Sequence, residues 1–174
     1  MSSRRPIRPG IHAGRAPEGA TEGLSPDALR EAFSRWASGV TVVAVRDEPH
    51  VLAITATAFA PVSIEPPLVL VCVGANAVVL PLLEPGARFA ISILSERQRR
   101  LASMFADPAP LGREHFAAEG EPLVRGALVG LACTVRDVHP GGDHAIVVAQ
   151  ITRLVMGDEA PPLLYYAREY RTLA

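Results

Sequence analysis

A run of small residues lies between two apolar segments in the first half of the chain. It reads Thr55-Ala56-Thr57-Ala58 and is followed at once by Phe59. Small side chains let a flat molecule come close to the backbone, whose N–H and C=O groups can then hydrogen-bond to it. The alternative is a buried strand whose small side chains serve close packing. These residue types therefore predict either a site for a flat ligand or a tightly packed strand.

A second candidate lies far downstream, in Gly141-Gly142-Asp143-His144. Glycines followed by aspartate favour a tight turn between two strands, and this turn would deliver His144 onto the strand that follows. His144 either contacts a ligand or pairs with Asp143 at the end of a hairpin. The remaining histidines are predicted in surface, loop or tail positions: His12, His50, His115 and His139.

The elements that must position these residues begin with a helix. Ser25 is a favourable N-cap, Pro26 suits the first helical position, and Asp27 suits the positive end of the helix dipole. An apolar face follows at helical spacing, formed by Leu29, Ala32, Phe33 and Trp36. Gly39 is predicted to end this helix. Residues 1–23 are rich in Gly, Pro and Arg, and they are predicted to form a disordered tail.

Strands are predicted for most of the chain after this helix. Their ranges are 40–45, 51–57, 68–73, 89–94, 127–139 and 144–156. Short helices are predicted after Asn76 and from Ser95 to Phe105, with a loop region over 107–125. Many antiparallel strands with few helices favour a closed barrel over a doubly wound sheet, here as one domain over residues 24–174.

Composition excludes several functions. The net charge of −1 provides no electrostatic case for binding nucleic acid, and the absence of lysine excludes Schiff-base chemistry and a Walker A loop. Cys72 and Cys133 lie in apolar strands without metal-ligand spacing, so we interpret them as small hydrophobic residues.

No apolar run is long enough to span a membrane, and no export signal is recognisable. A cytoplasmic protein without nucleic-acid or membrane partners is predicted.

Common catalytic motifs are also missing from the sequence. There is no GxSxG elbow, no HExxH zinc motif and no GxGxxG after a strand. A serine hydrolase of the elbow type, a zinc protease and a dinucleotide held by a Rossmann turn are therefore not expected.

Several segments of the chain resemble one known family in their order and spacing. They are residues 39–43 (Gly-Val-Thr-Val-Val), 55–63, 66–69 (Pro-Pro-Leu-Val), 142–144 (Gly-Asp-His), 162–165 and Tyr170. Together they resemble the flavin reductase family with the FMN-binding split-barrel fold, which includes the small reductase components of two-component flavin monooxygenases. The resemblance runs from about Leu29 to the C-terminus. It implies a mainly β protein, a split β-barrel of antiparallel strands with a few flanking helices.

The same resemblance implies where the cofactors bind. The residues implied to lie along the isoalloxazine ring are Thr55, Ala56, Thr57, Ala58 and Phe59, and those near the ribityl chain are Pro61, Val62 and Ser63. The flavin phosphate is implied to bind at Asn76, Ala77 and Val78, beside a helix N-terminus. His144 and Tyr170 are implied to contact the nicotinamide nucleotide, although Tyr170 could equally serve C-terminal packing.

The chain departs from the family pattern in its polar groups. In the phosphate segment only Asn76 is polar, and Ala60 and Pro61 stand where the family commonly has hydroxyl residues. Loose binding of flavin is therefore expected unless other groups supply charge. Arg97, Arg99 and Arg100 are candidates for that role, and the alternative is that they form the solvated face of a helix.

The implied reaction is hydride transfer from the nicotinamide C4 to the flavin N5. The cofactors perform this chemistry, so the protein has to hold the rings together and exclude water, and no catalytic side chain or metal is predicted. The resemblance implies an NAD(P)H:flavin oxidoreductase that uses FMN or FAD with NADH or NADPH. It further implies a homodimer and a partner monooxygenase that receives the reduced flavin. The alternatives are a flavin-binding split barrel with a different or lost activity and a non-enzymatic barrel that acts as an assembly module.

Overall fold

The computed structural model describes residues 24–107 and 113–173, so the predicted tail lies outside the described residues. The chain divides into two compact units, of which the first ends at Phe33 and the second begins at Ser34. Helix α1 spans Pro26–Ser34. The Ala28 N–H donates to Ser25 Oγ at 3.1 Å, which confirms Ser25 as the N-cap.

The predicted continuation of this helix to Gly39 is wrong. Ser38 and Gly39 instead form strand β1, which pairs with Tyr165 and Leu164 near the C-terminus. Long-range strand pairing outweighs the local helical pattern here. The consequence for the site is that Trp36 lies beyond the helix, in the connection to β1.

Within the described residues, the second unit is built around one antiparallel sheet of seven strands. Its strands are β2 (Thr41–Asp47), β3 (His50–Ala56), β4 (Phe59–Ser63), β5 (Leu68–Gly74), β6 (Arg88–Ile93), β7 (Val129–Gly141) and β8 (His144–Met156). Their order across the sheet is β3-β2-β6-β7-β8-β5-β4. A smaller sheet has the order β1-β9-β10, with β9 at Leu164–Tyr166 and β10 at Glu169–Arg171. The predicted mainly β, split-barrel class is confirmed.

Strand β2 is buried on both of its faces. Val43 belongs to a core cluster with Val71 and Phe89, whereas its neighbour Val42 belongs to a second cluster with Phe105. Successive side chains of a strand point to opposite faces, so the uninterrupted apolar run of β2 is explained by packing on both sides. The second cluster includes helix α2 (Arg99–Ala106), which therefore lies against the sheet.

Two local structures differ from those that the sequence predicts. Asn76 caps no helix, because the segment that follows it contains only a single 3₁₀ turn, Leu80–Leu82, with Val79 at its N-cap. Residues 59–63, for which no strand is predicted, form strand β4, which contains Pro61. Proline is tolerated there because β4 is the last strand of the sheet order and needs to pair on one side only.

Candidate functional site

His144 lies directly opposite Gly74 in the ladder between β8 and β5. The Ala75 N–H donates to the Asp143 carbonyl at 2.9 Å, so the hairpin turn and the loop after β5 are bonded together. A Cβ atom on Gly74 would stand 3.9 Å from His144 Nε2. The structure therefore places the histidine beside the loop that the sequence predicts to bind phosphate.

The His144 ring is oriented by its neighbour in the chain. Its Nδ1 atom lies 2.8 Å from Asp143 Oδ1, and the side chain is about half exposed. A carboxylate only accepts hydrogen bonds, so the Nδ1 atom carries the hydrogen. The other ring nitrogen, Nε2, is the one on the Gly74 side. The predicted pairing with Asp143 is thus observed, and it holds the ring in a position from which a ligand can be contacted.

A cavity of about 270 Å³, here called the Asn76 cavity, lies next to this loop. Its walls come from the end of β3, the loop after β5 and the C-terminal end of α2. The lining residues are Ile54, Thr55, Gly74, Asn76, Ala77, Val78, Phe105 and Ala106. Thr55 and the three predicted phosphate residues therefore meet in one place, although they come from separate parts of the chain.

The backbone of this loop offers donors to a ligand. The Ala77 N–H is bonded to the Gly74 carbonyl at 2.9 Å, but the N–H groups of Asn76 and Val78 make no hydrogen bond to a backbone carbonyl within the described chain. Backbone N–H groups in a turn are suited to bind an anion. The loop has this capacity without the helix N-terminus that the sequence predicted.

Thr55 has a structural role beside the cavity. Its Oγ1 donates to the Ala102 carbonyl at 2.7 Å and so fastens α2 to β3. This bond positions Phe105 and Ala106 as a wall of the Asn76 cavity. The sequence predicted a helix that ends at Phe105, but it carried no sign that this helix would border the cavity.

A second cavity, here called the Trp36 cavity, has a volume of about 290 Å³. Its lining residues are Trp36, Ala37, Ser38, Gly39, Thr41, Thr57, Phe59 and Ile93. The predicted ring-binding segment is thus divided, with Thr55 at one cavity and Thr57 and Phe59 at the other. This division arises because β3 ends at Ala56 and the chain bends at Thr57 before β4 begins.

The two alanines of that segment line neither cavity. Ala56 is buried in the core, and its carbonyl accepts a hydrogen bond from Thr41 Oγ1 at 2.8 Å. Ala58 is exposed, and its carbonyl accepts a 2.9 Å hydrogen bond from the Cys72 N–H. Ala56 therefore fits the alternative interpretation of this run, in which the small side chains allow close packing of a buried strand.

Three predicted ribityl contacts, Pro61, Val62 and Ser63, are not brought to the Asn76 cavity. Strand β4 runs away from it, since Phe59 pairs with Val71 and Ser63 pairs with Leu68. At the rise of an antiparallel strand, Leu68 is about 20 Å from Gly74 along β5. None of the three lines the Trp36 cavity either.

Tyr170 lies against other aromatic and charged groups and lines neither cavity. Its ring centroid is 5.5 Å from that of Tyr165, and the Arg99 guanidinium carbon is 5.9 Å from the Tyr170 centroid. Burial raises the pKa of the Tyr170 phenol above its usual value, although a hydrogen bond with Ser103 acts against the shift. Arg99 is thus engaged with Tyr170. Arg97, in the 3₁₀ turn Glu96–Gln98, and Arg99 and Arg100, at the start of α2, are all exposed.

A third cavity, of about 510 Å³, is bordered by a charged cluster around Glu121. The carboxylate is only 7% exposed, accepts from Arg88 Nε at 2.7 Å and lies 3.6 Å from Arg153 Nη2. Burial acts to raise the pKa of Glu121, but the hydrogen bonds, those from Arg88 foremost, outweigh it and hold the pKa below 4.5. The Arg46 guanidinium donates to the carbonyls of Ala117 and Gly120. The cluster holds the 117–121 loop to the sheet.

The two cysteines are free thiols, Cys72 partly buried and Cys133 buried. Burial, with a smaller effect of the Glu121 charge, raises the pKa of Cys133 to about 12. Such a thiol stays protonated near neutral pH and does not act as a nucleophile. Over residues 24–107 and 113–173 there is no group of three potential metal-binding side chains, and no helix there has the length and apolar character to cross a membrane.

Comparison with known proteins identifies relatives across most of the chain. The flavin reductase like domain family matches residues 33–174. The reductase component of 4-hydroxyphenylacetate 3-monooxygenase from Thermus thermophilus is 44% identical over 147 residues, which are 84% of this chain and 96% of that protein. An NADH-dependent flavin reductase from a Rhodococcus species is 40% identical, and the match covers 86% of this chain and 88% of that protein.

Solved structures show the same fold. The NADH:FAD oxidoreductase SgcE6 of Streptomyces globisporus, solved in complex with NAD and FAD fragments, superposes with a TM-score of 0.74 at 33% identity. The match covers 85% of this chain and 92% of that one. Sequence and fold therefore lead to the same group of proteins.

Proposed function

The chain belongs to the flavin reductase like domain family and is an NAD(P)H-dependent flavin oxidoreductase, and we propose that it supplies reduced flavin to a partner monooxygenase. The observation that carries this is that Thr55 and Asn76 line one cavity and that His144 lies opposite Gly74, which lines the same cavity. These residues come from β3, the loop after β5 and the start of β8. FMN or FAD and NADH or NADPH are the reactants of the proposed reaction.

The residues at the Asn76 cavity fit the phosphate end of a flavin. The N–H groups of Asn76 and Val78 are available to an anion, and the Asn76 amide can donate as well. No arginine or other cation lines the cavity, which supports loose binding. The proposed binding residues are those predicted from the sequence, with Thr55, Asn76, Ala77 and Val78 supported by their shared cavity.

His144 is proposed to contact the nicotinamide nucleotide. Asp143 holds Nδ1, so Nε2 can accept a hydrogen bond from a donor on the nucleotide. The bound cofactors supply hydride donor and acceptor, and the chain has to orient their rings and exclude water. No residue of the chain has to transfer a proton for the hydride transfer to occur. For Tyr170 the contacts with Tyr165 and Arg99 support a role in packing beside the one implied by resemblance.

The quaternary and cellular setting is also part of the proposal. Large apolar side chains are exposed on the second unit, among them Ile64, Leu154 and Met156, and such surface supports a homodimer. The two free thiols fit a reducing, cytoplasmic compartment. The family match over residues 33–174 supports a single reductase domain, to which we propose to add residues 24–32 as predicted from the sequence.

The test is rapid mixing of the purified protein with each flavin and each nicotinamide nucleotide without oxygen. We expect the flavin absorbance to disappear at a rate that saturates with nucleotide concentration. Binding of flavin without reduction by either nucleotide would favour a split barrel with a different or lost activity. A protein that binds no flavin would favour an assembly module.

A further inference from the structure

We propose that a cavity outside the candidate cofactor site binds a small organic carboxylate with an apolar body. This cavity, here called the Arg125 cavity, has a volume of about 330 Å³ and lies between residues 117–127, the start of β7 and the end of β8. Among the described residues, none lines both this cavity and either the Asn76 cavity or the Trp36 cavity. Its volume is at the lower end of the range of about 300–1,000 Å³ in which small-molecule sites are found.

The floor of the Arg125 cavity is apolar and fixed in place. Leu123, Val124 and Ala127 line the cavity and are buried. A Cβ atom at Gly130 would stand only 3.0 Å from carbons of the Leu123 side chain, so this leucine packs directly over the backbone of β7. The cavity is therefore preformed, and its apolar floor is suited to cover the body of an apolar ligand.

The rim of the Arg125 cavity carries a net positive charge from Arg125, Arg153 and Asp158, all of which are exposed. Arg153 Nη2 lies 3.6 Å from the buried carboxylate of Glu121, so part of the Arg153 charge is already balanced. Arg125 differs from it. Its Nε donates to the Phe116 carbonyl at 2.7 Å, and its Nη groups make no hydrogen bond or ion pair with other described residues.

This combination of floor and rim favours a monocarboxylate over other anions and over neutral molecules. A guanidinium presents its donors in a planar fork that matches the two oxygens of a carboxylate. Inorganic phosphate could contact the rim but would leave the apolar floor uncovered. A neutral apolar molecule could cover the floor but would leave the Arg125 charge without a partner.

Calorimetric titration of the full chain with benzoate, phenylacetate and hexanoate tests the proposal. We expect at least one of the three acids to bind with a dissociation constant of about 1 mM or lower. The amide of the same acid has the same body without the charge, and it should bind at least about tenfold more weakly. Saturating FMN or NAD⁺ should leave the affinity for the acid unchanged, because the cofactors are proposed to bind elsewhere.

Asp158→Asn is the most informative variant, because it changes only an exposed side chain at the rim. Removal of this negative charge should tighten binding of the acid about threefold, with no change for the amide or in the melting temperature. Glu159→Gln is the matched control, since it makes the same change at the next exposed residue, which does not line the cavity. Its affinity for the acid should equal that of the parent.

Arg125→Gln should weaken binding of the acid about tenfold, because it removes the guanidinium. It also removes the bond to the Phe116 carbonyl, so its melting temperature is measured alongside. Arg100→Gln, at an exposed position outside the cavity lining, is the control for loss of a positive charge.

Four outcomes would overturn the proposal. They are no binding of any of the three acids, equal affinity for acid and amide, competition between the acid and FMN or NAD⁺, and parent-like affinity in both Asp158→Asn and Arg125→Gln. Competition would assign the acid to the cofactor site. Because none of these measurements uses flavin turnover, each outcome leaves the proposed reductase function untouched.

Discussion

The hydroxyl of Thr55 donates a 2.7 Å hydrogen bond to the carbonyl of Ala102, and this bond joins β3 to α2 beside the Asn76 cavity. Removing this hydrogen bond should lower the stability of the protein as well as its affinity for flavin. Thr55→Val keeps the shape of the side chain but leaves the Ala102 carbonyl without this donor. We expect the free energy of unfolding to fall by about 1 kcal/mol, equivalent to a melting temperature about 2–4 °C lower.

The matched control for Thr55 is Thr57→Val, which alters an exposed hydroxyl two residues further on. It should leave the melting temperature unchanged in scanning calorimetry without flavin. Equal melting temperatures for the two variants would show that the bond to Ala102 contributes nothing to stability.

His144→Ala should separate nucleotide binding from flavin binding. We expect the KM for NADH to rise about fivefold or more while the dissociation constant for FMN stays near that of the parent, because the imidazole is proposed to contact only the nucleotide. His139→Ala removes an exposed imidazole from the same hairpin and serves as the control. Parallel loss of both affinities together with a lower melting temperature would mark His144 as a structural residue.

Asn76→Asp should weaken the binding of the flavin phosphate in particular. It places a negative charge beside the N–H groups of Asn76 and Val78, and we expect the KM for FMN to rise about tenfold, or about 1.4 kcal/mol. Riboflavin has no phosphate, so its KM should not change. Gln150→Glu, the same change on an exposed strand residue, should affect neither substrate. An equal loss for FMN and riboflavin would argue against a phosphate at this loop.

Flavin should behave as a substrate of this protein rather than as a resident group. No charged side chain lines the Asn76 cavity, so the protein should purify colourless and turnover should saturate at micromolar added flavin. Absorbance of the purified protein and initial rates against flavin concentration provide the measurement. A yellow protein that keeps one flavin per chain through dialysis would contradict this expectation.

Glu121 should make the stability of the protein dependent on pH. The folded carboxyl has a pKa below the ordinary 4.5, so its ion pair stabilises the fold above that value, and this contribution is lost as the pH falls through the lowered pKa. Glu121→Gln should therefore be less stable by about 1.5 kcal/mol at neutral pH, and the difference should shrink on acidification.

Urea unfolding of the parent and of Glu121→Gln at several pH values measures this difference. Glu119→Gln, at an exposed position in the same loop, is the control. A difference between parent and Glu121→Gln that stays constant into strong acid would show that the charge on Glu121 is not responsible.

Local sequence patterns predicted the elements whose stability is local. Ser25 is the N-cap of α1, and β8 has the predicted bounds of His144–Met156. A capping box formed by Ser95 and Gln98 lies directly before α2, and such a box is typical of the start of a helix. The cap of α1 depends on residues within one turn, so the sequence alone sufficed to predict it. Strand β8 pairs with the distant β5 and with β7, and its bounds were predicted from its apolar run and the turn before it.

The features that sequence patterns missed depend on distant partners. Gly39 belongs to β1 because Leu164 pairs with it, and Trp36 reaches a cavity because the helix ends before it. The division of residues 55–59 between two cavities follows from a bend at Thr57 that composition does not encode. The resemblance to a family supplied the site residues, and the register of Gly74 with His144 had to be observed in the structure.

The order of strands in the large sheet has a consequence for synthesis on the ribosome. The β4–β5 hairpin joins the sheet only through β8, so it has no place to pair until residues 144–150 have emerged. At common translation rates this delay is roughly 4–15 seconds, during which Val69 and Val71 lack their later cover. A nascent chain that stalls before His144 therefore exposes an aggregation-prone hairpin to chaperones, and it cannot yet assemble the cavity beside Gly74.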